Sequence, residues 1–394
     1  MNNIGTLYKY EIKKILQKKS VLLSMLAGIG VVVLLIFTYV SSDGHIDYIN
    51  KQRKVLDGIS GQKLDEEFFK NYSNEVNSEL EENSEKYEKI IAYDKGSAYL
   101  AASDAIYKKN LFDYFYDVIR DRNGVVDLTA SEFKDKMREN IINDGTDFGA
   151  SSEELNIWLE EYDSIEQPIT YAYVLGYYNI MNVLFVIGWA LFIVIAISMS
   201  GVFADEKVNR TDSIILSTRK GRMTLCIAKI LSGVTVALAE TVLILGSCSL
   251  TILCIYGFEG YDGMIQNLIP SSAWNITIGK MMGIYVILAV ATSTLYALSN
   301  MLLSHLTKSS VVTMAIHTAI LFLGLFNVPA SFGIIAKLWR VEPTLALHWG
   351  TFLNTYRYGS LNNVEFSFIL YGAIILLFTV WLVQSYRKSQ VESR

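Results

Sequence analysis

The chain has 394 residues, of which 52% are apolar and only 19% charged, a balance too apolar for an ordinary soluble enzyme. Its formal net charge of −5 joins two opposed parts: residues 41–168 carry 29 acidic and 15 basic side chains, while the remainder has nine more basic than acidic ones. That distribution gives no ground for a nucleic-acid partner, and three cysteines confined to Cys226–Cys254 exclude a disulfide framework or a cysteine-built metal site.

Residues 1–19 place Ile4, Leu7, Tyr8, Ile12, Ile15 and Leu16 at helical spacing, with Lys9, Lys13, Lys14, Lys18 and Lys19 largely opposite. This predicts an amphipathic helix for a membrane surface. Glu11 falls on or beside the apolar stripe. A carboxylate there needs either a cation, one on the central basic loop being a candidate, or exposure at the stripe's edge. The run Val21–Val40 is longer than the apolar core of a secretory signal and meets no small-residue cleavage site before Ser41–Gly44, so it is expected to span. Further apolar runs lie at roughly Tyr171–Ser200, Leu225–Ile255, Ile278–Leu303, Val311–Phe326 and Phe366–Val383. A span needs ~20 predominantly apolar residues; Val311–Phe326 is short by that measure and Phe366–Val383 is near the lower limit.

Six spans place three basic segments on one side: the leader, the segment 203–222, and the tail with Arg387, Lys388 and Arg394. The positive-inside rule makes that side cytosolic, with both termini there. The insert 41–168 then faces outward. Its helical signature over Leu64–Tyr93 includes Phe68, Phe69 and Tyr72, and turn signals follow at Asp121–Gly124 and Asn143–Gly145. Its aromatic residues suffice for a small core. Residues 327–365, half apolar and containing Trp339, Trp349, Tyr356 and Tyr358, predict a short re-entrant or interfacial helical hairpin. The expected fold class is therefore an all-α integral membrane protein with six transmembrane helices. An amphipathic helix (1–19) precedes span one (20–40), a mostly helical external domain (41–168) follows, and residues 169–394 supply spans two to six.

No G-x-x-x-x-G-K-[ST], H-E-x-x-H, G-x-S-x-G or zinc-spaced Cys/His set occurs, so no enzymatic activity, cofactor or metal is expected in this chain. Glu240 stands near the middle of the third apolar run, in V-T-V-A-L-A-E-T. It either lines a translocation path, meeting a cationic group of a substrate, or is a neutral carboxyl hydrogen-bonded to a neighbouring helix. Asn182 and His317 raise the same two readings.

The segment FADEKVNRTDSIILSTRKGR, residues 203–222, has too many charges to lie in hydrocarbon. Thr211, Asp212 and Ser213 can cap a short helix over the apolar patch Ile214, Ile215 and Leu216, with cations at its end. The bland alternative is a solvated loop whose cations only fix orientation. Together with Tyr10–Ser20, this segment resembles the type-2 ABC exporter permeases, six-span bacterial proteins that work with a separate or fused ATPase. In that family an amphipathic connecting helix opens the chain; Glu11, Lys13 and Lys14 match it. The loop between spans two and three carries a Glu with a basic neighbour, a threonine, an aliphatic patch, an arginine and a lysine one turn into the next span. Glu206, Lys207, Thr211, Ile214, Ile215, Leu216, Arg222 and Lys229 match that order, whereas Arg210 and Arg219 replace the usual glycine and proline.

The resemblance implies a permease subunit of a cell-membrane exporter, in a homo- or heterodimer of permeases, with ATP and Mg held by a partner ATPase. It implies an amphipathic substrate in contact with membrane lipid: an antimicrobial peptide, an antibiotic as in antibiotic resistance, or a lipid-like molecule. A reading from another class is a membrane sensor or immunity protein that binds an external ligand without transport.

Overall fold

The computed structural model describes residues 3–42, 46–75, 78, 129–147, 149–208, 222–326, 328–352 and 356–392. Among them, five helices are long and apolar enough to cross a bilayer, which is the architecture of an all-α membrane protein. Helix α1 (Asn3–Leu16) ends at a break over Gln17 and Lys18, and α2 (Lys19–Ser42) is the first long apolar helix. Val21 and Val32 face protein, whereas Leu22, Leu23, Leu26, Leu34 and Phe37 are exposed, as a face meeting hydrocarbon would be.

Helix α6 (Leu175–Val208) has 34 residues, ~51 Å at ~1.5 Å per residue, and so exceeds a ~30 Å hydrocarbon layer. Helix α7 (Arg222–Thr241) returns beside it and continues through a π turn (Val242–Gly246) into α8 (Ser247–Tyr256). Helix α9 (Ile278–Thr307) is capped by Thr277 and stopped by Lys308 in the left-handed region, φ 58°. The expected fifth span appears as α10 (Ser310–Leu323), whose 14 residues reach only ~21 Å. Helix α12 (Asn363–Glu392) closes the bundle. Its core runs through Leu191, Phe192, Ile195, Met199, Ala237, Leu298, Met301 and Tyr371.

Within the insert, α3 (Ile46–Asp57), a helical stretch over 66–75, α4 (Ala130–Asp147) and α5 (Ser152–Asp163) share a second core of Leu56, Phe69, Tyr72, Phe133, Met137, Ile141, Trp158 and Tyr162. A capping box of Ser151 and Glu154 starts α5. The strip 61–64 pairs antiparallel with 169–171, for example Leu64 N–H to Ile169 O at 2.8 Å, so the two ends of the insert are joined at its base.

Two sequence expectations are corrected here. The turn expected at Asn143–Gly145 is the last part of α4. Phe133, Met137, Ile141 and Gly145 recur every fourth residue on its buried face, and this periodicity outweighs the local turn preference. Where a helical hairpin is expected over 327–365, the described residues form a short α-helix, α11 (Ile334–Arg340), between 3-10 turns at Ala330–Phe332 and Trp349–Phe352, followed by a β-hairpin of β1 (Arg357–Tyr358) and β2 (Leu361–Asn362). Gly359, at φ 69°, supplies the positive φ that this turn needs. The turn signal at 121–124 and the continuation of the helix toward Tyr93 lie outside the described residues.

Candidate functional site

The end of the bundle that holds α1 concentrates charge in a buried place. The last turns of α6 present Val202, Phe203, Asp205, Glu206 and Lys207, the second turn of α7 presents Lys229, and α1 lays Glu11 and Lys14 against both. Lys229 is 0% exposed. Its ammonium donates to Val202 O at 2.6 Å, stands 2.8 Å from Glu206 Oε1 and 3.7 Å from Glu11 Oε2, and lies 5.1 Å from the centre of the Phe203 ring. Lys14 approaches the same Glu206 oxygen at 2.7 Å and Glu11 at 3.7 Å. At the α1–α2 break, Lys18 pairs with Asp205 at 2.7 Å. That pair lies over Gly201, where a Cβ would come within 2.7 Å of the Lys18 ammonium. Three carboxylates thus meet three ammonium groups.

Burial opposes the charge on Lys14, but the hydrogen bond and field of Glu206, with the field of Glu11, outweigh it and raise its pKa above the ordinary lysine value. Removing two ions from water offsets most of their attraction, so such a cluster adds little net stability. Breaking it is costly, because the remaining charge stays buried. Its physical effect is to hold α1 on α6 and α7 in one register.

The neighbouring helices clasp the same end of α6. Ser304 Oγ donates to Ser200 O at 2.5 Å and accepts from Ala204 N–H at 3.0 Å. Ser310 Oγ donates to Asp205 at 3.2 Å, and Lys207 donates to His305 O at 3.4 Å. The rings of Phe203, His305 and Tyr386 meet pairwise at 5.7–5.8 Å, bringing in α12.

Of the residues singled out in the sequence, Glu11, Lys14, Glu206 and Lys229 therefore come together. Glu11 meets two cations, Lys14 of its own helix and Lys229 of the third apolar helix, each at 3.7 Å, while most of the central loop, where one candidate partner was expected, lies outside the described residues. Lys207 faces α9 instead of α1, and Lys13 is exposed. Thr211, Ile214, Ile215 and Leu216 lie outside the described residues; Arg222 is the first residue of α7. Sequence reasoning missed Lys18, Asp205 and Ser304. For the first two the available signal was an i,i+4 lysine pair, Lys14 and Lys18, opposite adjacent acids, Asp205 and Glu206.

Deeper in the bundle, Glu240 is fully buried and accepts a hydrogen bond from Ser198 Oγ, while its Oε2 has no partner among the described residues. His317 meets Ser299 Oγ at 3.0 Å and the Tyr296 ring at 5.5 Å, and Asn182 is half-buried on α6. These three have separate neighbours. Among the described residues no group of three or more His, Cys, Asp or Glu gathers where it could hold a metal.

At the opposite end, Glu154 joins the insert to the bundle. It accepts from Lys337 of α11 at 2.5 Å and from Arg357 N–H at 3.0 Å. Burial works to raise its pKa, but these bonds and those of Ser151 prevail and hold it below the ordinary glutamate value. Trp158 of α5 meets Trp274 at 5.6 Å, Trp274 meets Phe352 at 5.4 Å, and Phe352 meets Tyr285 of α9 at 5.1 Å. Asn267 accepts from Ala172 N–H and donates to Thr170 O, both at 3.0 Å, fixing the loop between α8 and α9 to the base of the insert. Comparison with family models, with curated proteins and with solved structures finds no match.

Proposed function

We propose that this chain is the permease subunit of an ATP-driven exporter in the cell membrane, acting with a separate ATPase. The observation that carries the reading is the buried ion cluster. It fastens an amphipathic N-terminal helix to the two helix ends that flank segment 203–222. A partner pressing on that segment would move α1, α6 and α7 together, because the charges between them cannot separate without leaving one unpaired. Work has to enter by contact, since the sequence carries no phosphate-binding loop of its own.

In this reading the α1 end is cytosolic, as its excess of lysine and arginine favours, and the insert is external. The short α10 completes six spans, its flanks reaching the interface by local thinning or snorkelling. Two such subunits pair, and the cargo is amphipathic. Thr211, Ile214–Leu216 and Arg222 form the ATPase contact, and Glu206 and Lys207, bonded to Lys229 and to His305 O, couple that contact to the bundle. Glu11, Lys13 and Lys14 form the relay, and Glu240, Asn182 and His317 are candidates for the path.

The test is purification from the native membrane in mild detergent, followed by assay for a co-purifying ATP-hydrolysing subunit. The expected result is co-purification that is lost when Ile214, Ile215 and Leu216 are each replaced by Asp. Absence of any ATPase under several detergents would sink the exporter reading in favour of a ligand-binding sensor or immunity protein.

A further inference from the structure

An open cleft of about 940 Å³ lies between the base of the insert and the loop that joins α8 to α9. One wall is 57–63 with 164–173; the other is 258–264. Its size falls at the upper end of the ~300–1,000 Å³ usual for ligand sites.

The loop wall is built, not slack. Gly260, at φ 85°, lies so close to Tyr173 O that no side chain fits, and Gly263 is pressed against the Ala172 methyl. Tyr177 OH donates to Phe258 O at 2.9 Å. Arg53 is bonded to Glu259, whose carboxyl it holds below the ordinary range against the effect of burial.

On this wall two aromatic rings remain in the open: Phe258 is 52% and Tyr261 is 55% exposed. Tyr261 is nonetheless held in place. Its ring lies on Gly279, where a Cβ would collide with it, and Tyr177 flanks it at 6.4 Å. A half-open ring fixed in this way presents a face to a ligand at little cost in side-chain entropy, and Phe258 stands beside it on a backbone held by Tyr177. Around them stand the exposed carboxylates Asp57, Glu166 and Asp262, opposed within the lining by Lys63 alone. Carboxylates with an aromatic face recognise an ammonium group attached to an apolar body.

We infer that this cleft binds a cationic amphipathic peptide, the lysine ammoniums taken by Asp57, Glu166 and Asp262 and its apolar side chains by Phe258 and Tyr261. The inference rests on the outward placement of the insert and names the cargo class of the exporter reading. Its test needs no ATPase, so the two stand or fall separately.

The probe is a fluorescein-labelled, amidated hexapeptide of alternating lysine and tryptophan. It is titrated onto the full chain in phosphatidylcholine nanodiscs and onto empty nanodiscs. Saturable binding is expected, weakened about tenfold by Tyr261→Ala and by the pair Glu166→Gln and Asp262→Asn, and retained by Tyr261→Phe. Hexalysine, which lacks the apolar groups, should compete poorly. Because the carboxylates are exposed, their substitution leaves the fold intact, so loss of binding there cannot be unfolding. The proposal is overturned if the Tyr261→Ala and carboxylate variants bind as the unaltered chain does. It is overturned equally if hexalysine competes as well as the probe, which would indicate only the general acidic field, or if empty nanodiscs take up the peptide to the same extent.

Discussion

Lys229 shows how one buried ammonium organises three helices, because its ligands come from residues 11, 202 and 206, which lie far from it in sequence. Replacing it by Met leaves Glu206 and Glu11 near each other in a dry place, sharing Lys14 and lacking the buried ammonium between them. A loss of ~3–5 kcal/mol is expected, read as a lowered melting temperature in detergent. Adding Glu206→Gln to Lys229→Met should recover part of that loss; strict additivity of the two substitutions would show that they do not share an interaction. The parts of this site could be read from the sequence one by one. Glu11 sits on an apolar stripe, and Lys229 interrupts L-C-I-A-K-I-L. Their pairing could not be read, since periodicity describes one helix and gives no account of which other helix lies against it.

Elements meet in two different ways, by close apolar approach and by charge. Where α7 crosses α9, a Cβ on Gly233 would stand 2.5 Å from Met301 Sδ and 3.1 Å from Met199 Sδ, so Gly233→Val should push the helices apart at ~1–3 kcal/mol, measured by thermal unfolding. Between α5 and α11 the contact is Glu154 with Lys337. The folded pKa of Glu154 is depressed, so its contribution is complete above the ordinary value of 4.5 and is lost as the pH falls through the lower folded value. Glu154→Gln should therefore flatten the acid limb of the pH–stability profile. An unchanged limb would mean that the contact carries no stability. Apolar runs revealed the long helices because hydropathy is a property of each segment alone. The β-hairpin at 357–362 was not legible in the same way, since two-residue strands leave no period, and the Asn143–Gly145 turn signal was overruled by burial of one face of α4.

At the scale of the whole molecule, the core of the insert draws on residues from outside it, in the segments that lead into α6 and α9. Tyr173, Ala273 and Trp274 belong to the same apolar cluster as Phe69, Phe133 and Trp158, yet lie beyond the end of the insert. The polypeptide 41–168 alone is therefore expected to show no cooperative melting transition, whereas the full chain shows one that Trp274→Ala lowers; circular dichroism on both decides it. The sequence boundary at 168 marks where acidic composition ends, and composition changes a few residues before the packing does. The length of α6 has a mechanical consequence. It touches the ion cluster with its last turns, and at its first turn Tyr177 is tied to the loop wall of the cleft. A stiff rod of ~51 Å that tilts by about 5° displaces its far tip by about 4 Å, roughly the width of a peptide strand. On the exporter reading, a small angular stroke at the α1 end would be geared up, without any relay of side chains, into a displacement large enough to open or shut a cleft at the other end of α6.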